Sequence, residues 1–371
     1  MNIVYAITTL AGTIIGVGLF SLPYITLKVG FEVILIYFIV LGCAVTLVHL
    51  FLGELALKTA DFKRLPSFSK IYLGKWGERI SYVSNIFGSF GALLAYLIVG
   101  GEFLTELFSP YFGGNTFFYT IVYFIAGAIL IFLGTKFIAK IEFWGLIFFL
   151  VILTVLFFIS KDIININNLF LGSFSSKKNF SDLFLPYGVI LFSLWGAALI
   201  PEIEEMLFPR KRFLKWVIPI SIIIPAIVYL FFIYVVLGVS GEKTTESALG
   251  GLKNILGNGI VNLALFFGIL TTFTSFIAIG LTLKKIFWYD LNIKKFFSWT
   301  ITCFIPLFLY IIGFKNFINV ISAVGGIMLS VDGILILLMY NKIRPDRKFI
   351  VYPLILLFLL GIIYSIIYFS H

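Results

Sequence analysis

The feature that most constrains this chain is a succession of nearly uncharged apolar stretches, each of bilayer-spanning length, running from one end to the other. A spanning helix needs about 20 apolar residues. Eleven stretches fit that description: 3–27, 31–53, 81–108, 117–135, 142–160, 183–206, 213–238, 259–283, 297–314, 317–340 and 349–369. Of 371 residues, 61% are hydrophobic and 12% charged, against about 45–50% and about 25% in soluble domains. One globular core cannot hide this much apolar surface, so the chain reads as an all-α membrane protein with little left for a soluble domain. The net charge of +10 would suit nucleic acid only as a basic face, and here the basic residues fall in short clusters between apolar runs. Cys43 and Cys303 both sit inside apolar runs, which supports neither a disulfide framework nor a thiolate metal site and suggests packing roles. Apolar sequence begins by Ile3 without a charged leader or cleavage site, so the first span is read as retained.

Positive charge is kept on the cytoplasmic side of a membrane. With the N-terminus inside, the five inner loops take six, two, four, four and four of the 27 Lys and Arg residues. The outer side takes only Lys28, Lys161, Lys177, Lys178, Lys243, Lys253 and Lys315. Removing or adding a central helix would scramble this alternation, so the count and the orientation support each other. The chain is expected in the cytoplasmic membrane, N-terminus inside and C-terminus outside.

Two spans differ from the rest. The first carries Gly12, Gly16 and Gly18 and then Pro23 in AGTIIGVGLFSLPY; the sixth carries Gly196 and Pro201 in SLWGAALIPEIEEM. Glycine and proline at this density invite unwinding. By the charge count these two helices run in opposite directions, and their starts are five helices apart. Interrupted helices at corresponding positions of two inverted halves point to a transporter site at the midplane. The chain therefore divides into repeat A (1–160), an outer loop (161–182), repeat B (183–340) and an extra helix (341–371). A single glycine-rich helix would suggest close packing alone; two in register do not. The G-x-G of the first span follows no strand, which excludes a nucleotide-binding loop.

GTIIGVGLFSLPYITLKVGF (12–31) resembles the opening helix of the amino acid/polyamine/organocation superfamily, especially its amino acid/auxin permease branch. Residues 67–108, with LGKWG and AYLIVGGEFL, are similar to that branch's approach to the third helix. PEIEEMLFPRKRFLKWVIP (201–219) looks like the superfamily's acidic pair, proline and basic cluster, and TSFIAIGLTLKKIF (274–287) resembles the eighth helix of bacterial aromatic amino acid permeases. The resemblance implies the leucine-transporter fold, with two inverted five-helix repeats and broken helices 1 and 6, and secondary transport of an amino acid. The chain departs from it in being short and in ending after about eleven helices rather than twelve.

An amino acid at the midplane needs donors for its carboxylate and acceptors for its ammonium. The amides of Val17 and Gly18, with Gly16 allowing close approach, lie at the positive end of the outer half-helix and suit the carboxylate. Carbonyls near Thr13 and Ile14, at the end of the inner half-helix, suit the ammonium, as do those around Ser193 to Gly196. Tyr96, Trp195, Ala197 and Phe273 or Phe276 are the side chains whose helices recommend them for selectivity. With no charge beside the first break, a neutral amino acid is favoured, apolar or aromatic. The resemblance implies a sodium site of Gly12 and Ile15 carbonyls with the Thr274 and Ser275 hydroxyls, oxygen ligands suited to a hard cation. Hydroxyls in membrane helices also bond their own backbone, so sodium and proton coupling both stay open. Some proton-coupled relatives carry a lysine in the middle of the fifth helix, and 143–158 has none.

Ionisable groups at membrane depth are functional hypotheses. Glu102 and Glu106 share one face of the third helix and either relay protons or face a solvated outer vestibule. Glu202, Glu204 and Glu205 lie beside Arg210–Arg212, where gating or surface ion pairs are expected. Asp332, in the tenth helix, is the best side chain for proton sensing, with Gly325 and Gly326 nearby as a water-lined bend. His49 stands alone on the second helix, fitted for packing or hydrogen bonding rather than catalysis, so no enzyme is expected. No cofactor is implied beyond the coupling ion, and no nucleic acid partner; the protein meets lipid and an amino acid, as a monomer or homodimer. A receptor subunit on the same scaffold would bind an amino acid without flux.

Overall fold

The computed structural model of the protein describes residues 2–59, 63–134, 138–173 and 183–370. Among them every regular element is helical: α1 (Asn2–Ile14), α2 (Leu22–Val29), α3 (Phe31–Lys58), α4 (Leu65–Leu73), α5 (Lys75–Phe112), α6 (Thr116–Leu133), α7 (Ile138–Ser160), α8 (Pro186–Leu194), α9 (Ile200–Met206), α10 (Leu214–Ser240), α11 (Gly250–Leu256), α12 (Asn258–Lys285), α13 (Lys295–Ile311), α14 (Phe317–Ala323), α15 (Ser330–Ile343) and α16 (Lys348–Ser370). Eight helices among the described residues are long and apolar enough to cross a bilayer, or nine when the bent pair Ile3–Ile14 and Val17–Val29 is one span. Two shorter apolar helices, Ile147–Ser160 and Lys295–Ile311, stand where the fifth and ninth spans are expected. Of the counted lysines, Lys136, Lys177 and Lys178 lie outside the described residues, as does 174–182 of the outer loop.

Two stretches that read as loops are helical. α4 starts with Pro66 in its first turn, where a missing N–H costs nothing, and buries Phe68 and Leu73. α11 is a single short helix between the seventh and eighth spans. Both are too short and too polar to signal themselves by periodicity.

The helices sort into two packed groups. α1, α2, α3 and α8 gather around α10, whereas α5, α6, α12 and α13 pack on one another. The tenth span (α14, a π-helical segment Val324–Leu329, and α15) bridges the groups through α5 and α8. α16 leans on α15 and that π segment, and its outer face, with Leu356, Leu360 and Ile363, is exposed. An exposed apolar face of this kind is what lipid contact requires. Cys303 is buried as expected, but Cys43 is exposed on α3; the packing role holds for the first and is corrected for the second, because lipid accepts an apolar thiol.

Candidate substrate site at two helix breaks

The first span stops being an α-helix at Ile14. Gly16 is extended (φ −117°, ψ −157°) and caps a 3-10 turn, Val17–Ser21, after which α2 carries Pro23 in its first turn. The two halves meet at 47°. The sixth span repeats the pattern: Trp195 is extended (ψ 124°), Gly196 caps a 3-10 turn at Ala197–Leu199, and α9 carries Pro201 in its first turn. The second break is tighter, three 3-10 residues against five. Gly12, by contrast, stays inside α1.

Glycine at these points lets the two breaks touch. A Cβ on Gly18 would lie 3.1 Å from the Ser193 Cα and closer still to its hydroxyl, and one on Gly196 would lie 2.8 Å from Cγ1 of Ile14 and 3.0 Å from Cδ1 of Leu10. One on Gly16 would come 2.7 Å from the Tyr96 hydroxyl. As the numbering rises from Leu10 to Gly18 in the first span, the facing residue falls from Gly196 to Ser193, so the two broken spans run antiparallel. The amides of Val17 and Gly18 open the first 3-10 turn, where N–H groups have no partner within the helix and the dipole is positive. Gly18 lies against Ser193 in the last turn of α8, a helix end with carbonyls of its own.

Two side chains absent from the sequence-derived site hold the breaks together. The Tyr229 hydroxyl on α10 lies 2.6 Å from the Ile14 carbonyl and 2.8 Å from the Ser193 carbonyl. His49 Nε2 accepts the Gly196 amide at 2.9 Å, and its Nδ1 lies 2.8 Å from the Val45 carbonyl. That pairing fixes a neutral imidazole with the proton on Nδ1. His49 has the hydrogen-bonding role expected of it, though its partner could not be named in advance. Tyr229 gave no signal, being one of 18 tyrosines.

The other sequence-derived residues divide. Thr13 is exposed and its hydroxyl donates to Thr9. The Ile14 carbonyl, expected to await an ammonium, already accepts from Tyr229 and from the Gly16 amide at 2.8 Å. Tyr96 reaches Gly16 from α5, and the Trp195 ring stands edge-on to His49 at 5.2 Å. Ala197 is buried at the start of its turn. Phe273 and Phe276 pack edge-on against Tyr123 at 5.2 and 5.6 Å, with Phe276 also against Gly127. Both rings thus lie at the α6–α12 interface. Thr274 donates to the Thr271 carbonyl at 3.0 Å, Ser275 is half-buried beside it, Gly12 lies in the last turn of α1, and Ile15 lies just past its end.

Among the charged candidates, Asp332 is buried and accepts from Ser84 of α5. The bend beside it is not water-lined: a Cβ on Gly325 would strike the backbone of Gly188, and one on Gly326 the Ser365 side chain. Close packing explains both glycines. Glu102 is half-buried and hydrogen-bonded by Ser247. Glu204 pairs with Lys211 at 2.5 Å, Glu205 is exposed, and Glu202 keeps a buried Oε2 without a hydrogen bond. Ion pairs absent from the sequence reading tie the same end: Arg64 to Asp290 at 3.2 Å, and Glu54 to Arg344 at 3.0 Å. Glu54 raises the already high pKa of the Arg344 guanidinium. Among the described residues no cluster of His, Cys, Asp and Glu could hold a metal ion.

The sequence model of the tryptophan/tyrosine permease family matches residues 1–368. The chain belongs to the tryptophan/tyrosine permease family. No curated protein sequence matches this permease. Two solved structures are similar to it. Mhp1, a nucleobase-cation-symport-1 family transporter in a closed conformation with bromovinylhydantoin bound, has a TM-score of 0.66 and 12% identity over 97% of this chain and 92% of its own. MhsT in complex with L-phenylalanine has a TM-score of 0.65 and 15% identity over 96% of this chain and 98% of its own. At these identities the likeness shows the fold, the leucine-transporter type with broken first and sixth helices. The permease is a multi-pass membrane transporter, not an enzyme.

Proposed function

We propose that this permease moves tryptophan or tyrosine across the cytoplasmic membrane by alternating access, its zwitterion held between the two breaks. The observation that carries the reading is the antiparallel meeting of two interrupted spans, Gly18 of the first break against Ser193 at the end of α8 and Gly196 of the second against Ile14 at the end of α1. The Val17 and Gly18 amides take the carboxylate, and carbonyls of the sixth span take the ammonium. The family supports an aromatic side chain, as does the phenylalanine bound to MhsT. Tyr96 beside Gly16 and Trp195 within the second break are aromatic groups placed to meet such a side chain.

Sodium drives the uptake in this reading. The Thr274 hydroxyl spends its proton on Thr271 and keeps lone pairs for a hard cation, whose further ligands, by the family resemblance, are the Ser275 hydroxyl and the carbonyls of Gly12 and Ile15. The N-terminus lies in the cytoplasm, by the charge count, and residues 1–160 and 183–340 are the two inverted repeats. The chain's motifs support a place in the amino acid/polyamine/organocation superfamily.

Uptake of labelled tryptophan into proteoliposomes under an inward sodium gradient tests the function. Accumulation that collapses when choline replaces sodium is expected. Binding without flux would replace the permease reading with a receptor, and accumulation indifferent to sodium but driven by a proton gradient would reassign the ion.

A further inference from the structure

α1 and α8 both end at the site, the first at Ile14 and the second at Leu194. The carbonyls closing an α-helix lack partners within the helix and carry the negative end of its dipole. Two such ends converge here, and buried carbonyls facing each other without a donor are costly. Tyr229, fully buried, places one hydroxyl within hydrogen-bond distance of both carbonyls, 2.6 Å from Ile14 and 2.8 Å from Ser193. A phenol has one proton, so it satisfies one carbonyl at a time. The Ile14 carbonyl also accepts from the Gly16 amide at 2.8 Å. The Ser193 carbonyl is therefore the one left needing a donor whenever the proton turns to Ile14. α10 is anchored to α1 a second time, by Ser221 donating to the Ile7 carbonyl at 3.3 Å, which keeps Tyr229 in register with the break.

We propose that Tyr229 is a positioning residue that links the two unwound segments through its shared hydroxyl proton and presents the Ser193 carbonyl to the ammonium of the substrate. This rests on the permease reading above. When the ammonium donates to Ser193, the phenol proton settles on Ile14, and the two segments are joined through substrate and tyrosine together. Occupancy of the site is thereby felt by both broken helices at once.

Removing the hydroxyl has two opposite effects. The Ser193 carbonyl becomes wholly available to the ammonium, so substrate is held at least as well. The link between the segments is lost, so the loaded carrier turns over slowly. In proteoliposomes, Tyr229→Phe is expected to lower kcat for tryptophan by about tenfold or more, the scale of one lost buried hydrogen bond, with KM unchanged or lower. Phe38→Leu, which alters the ring packed on Tyr229 at 6.2 Å but spares the hydroxyl, is the packing control and keeps kcat within about threefold, as packing swaps of similar volume are mild. If Y229F does not fold, Tyr229→Met, which fills the buried position without a donor, carries the test by the same criteria. Wild-type kinetics in the variant, a raised KM at unchanged kcat, or an equal kcat loss in F38L each overturns the proposal. Wild-type vesicles that take up no aromatic amino acid overturn the permease reading itself, and the inference with it.

Discussion

His49 and Gly196, 147 positions apart, share a hydrogen bond of 2.9 Å from the glycine amide to the imidazole Nε2. The amide belongs to the break of the sixth span, where no helical carbonyl is in reach, and the histidine sits on α3, which stays regular through the same depth. A continuous helix thus supplies what an interrupted one lacks. His49→Ala strands the amide, which costs about 1–3 kcal/mol. A fall of several degrees in Tm, accompanied by weaker tryptophan stabilisation, is expected by thermal shift; His49→Gln, which retains an acceptor, recovers part of it. Equal loss in both variants would indicate a packing role only.

The approach of Gly18 to Ser193 leaves no room for a methyl group. Gly18→Ala is expected to abolish tryptophan-induced stabilisation while folded protein is still recovered. The contact includes the Ser193 Cα at 3.1 Å as well as its side chain, so Gly18→Ala/Ser193→Gly restores binding in part. Full affinity in the single variant, measured by titration calorimetry, would remove the first break from the site.

Lys284 is 4% exposed and donates to the carbonyls of Ile131 and Phe132, at 2.7 and 3.1 Å, where α6 ends. A cation there meets both the unpaired carbonyls and the negative end of the dipole. Lys284→Met keeps the stem and deletes the donor, and should destabilise the protein by about 1–3 kcal/mol. Denaturation in mild detergent reads the change, and a variant as stable as wild type would leave the cap without energetic weight.

Asp332 and Ser84 join the tenth span to the third by a buried hydrogen bond. Asp332→Asn preserves an acceptor for Ser84 and removes the titratable group. Under the sodium reading, uptake driven by a sodium gradient survives this change. Its loss, with proton-driven uptake lost too, would move coupling to Asp332.

Much of the fold was legible because its causes are local. Apolar length fixed each span, and Gly16 with Pro23, and Gly196 with Pro201, marked where regular hydrogen bonding fails; the structure breaks the chain beside both glycines. α4 and α11 escaped, since short helices carry no long apolar period. Where the two breaks fall followed from local chemistry, whereas the neighbours of individual side chains did not: Phe276 is on the expected helix and turns toward Gly127.

By itself, then, the amino-acid order determined that this is a membrane protein with two interrupted spans, because hydropathy and the conformational freedom of glycine are properties of short segments. Which group answers each bare amide and carbonyl was decided only by tertiary structure. Tyr229 meets Ile14 across 215 positions and His49 meets Gly196 across 147, and such pairings arise from how helices pack, which no local stretch of sequence encodes.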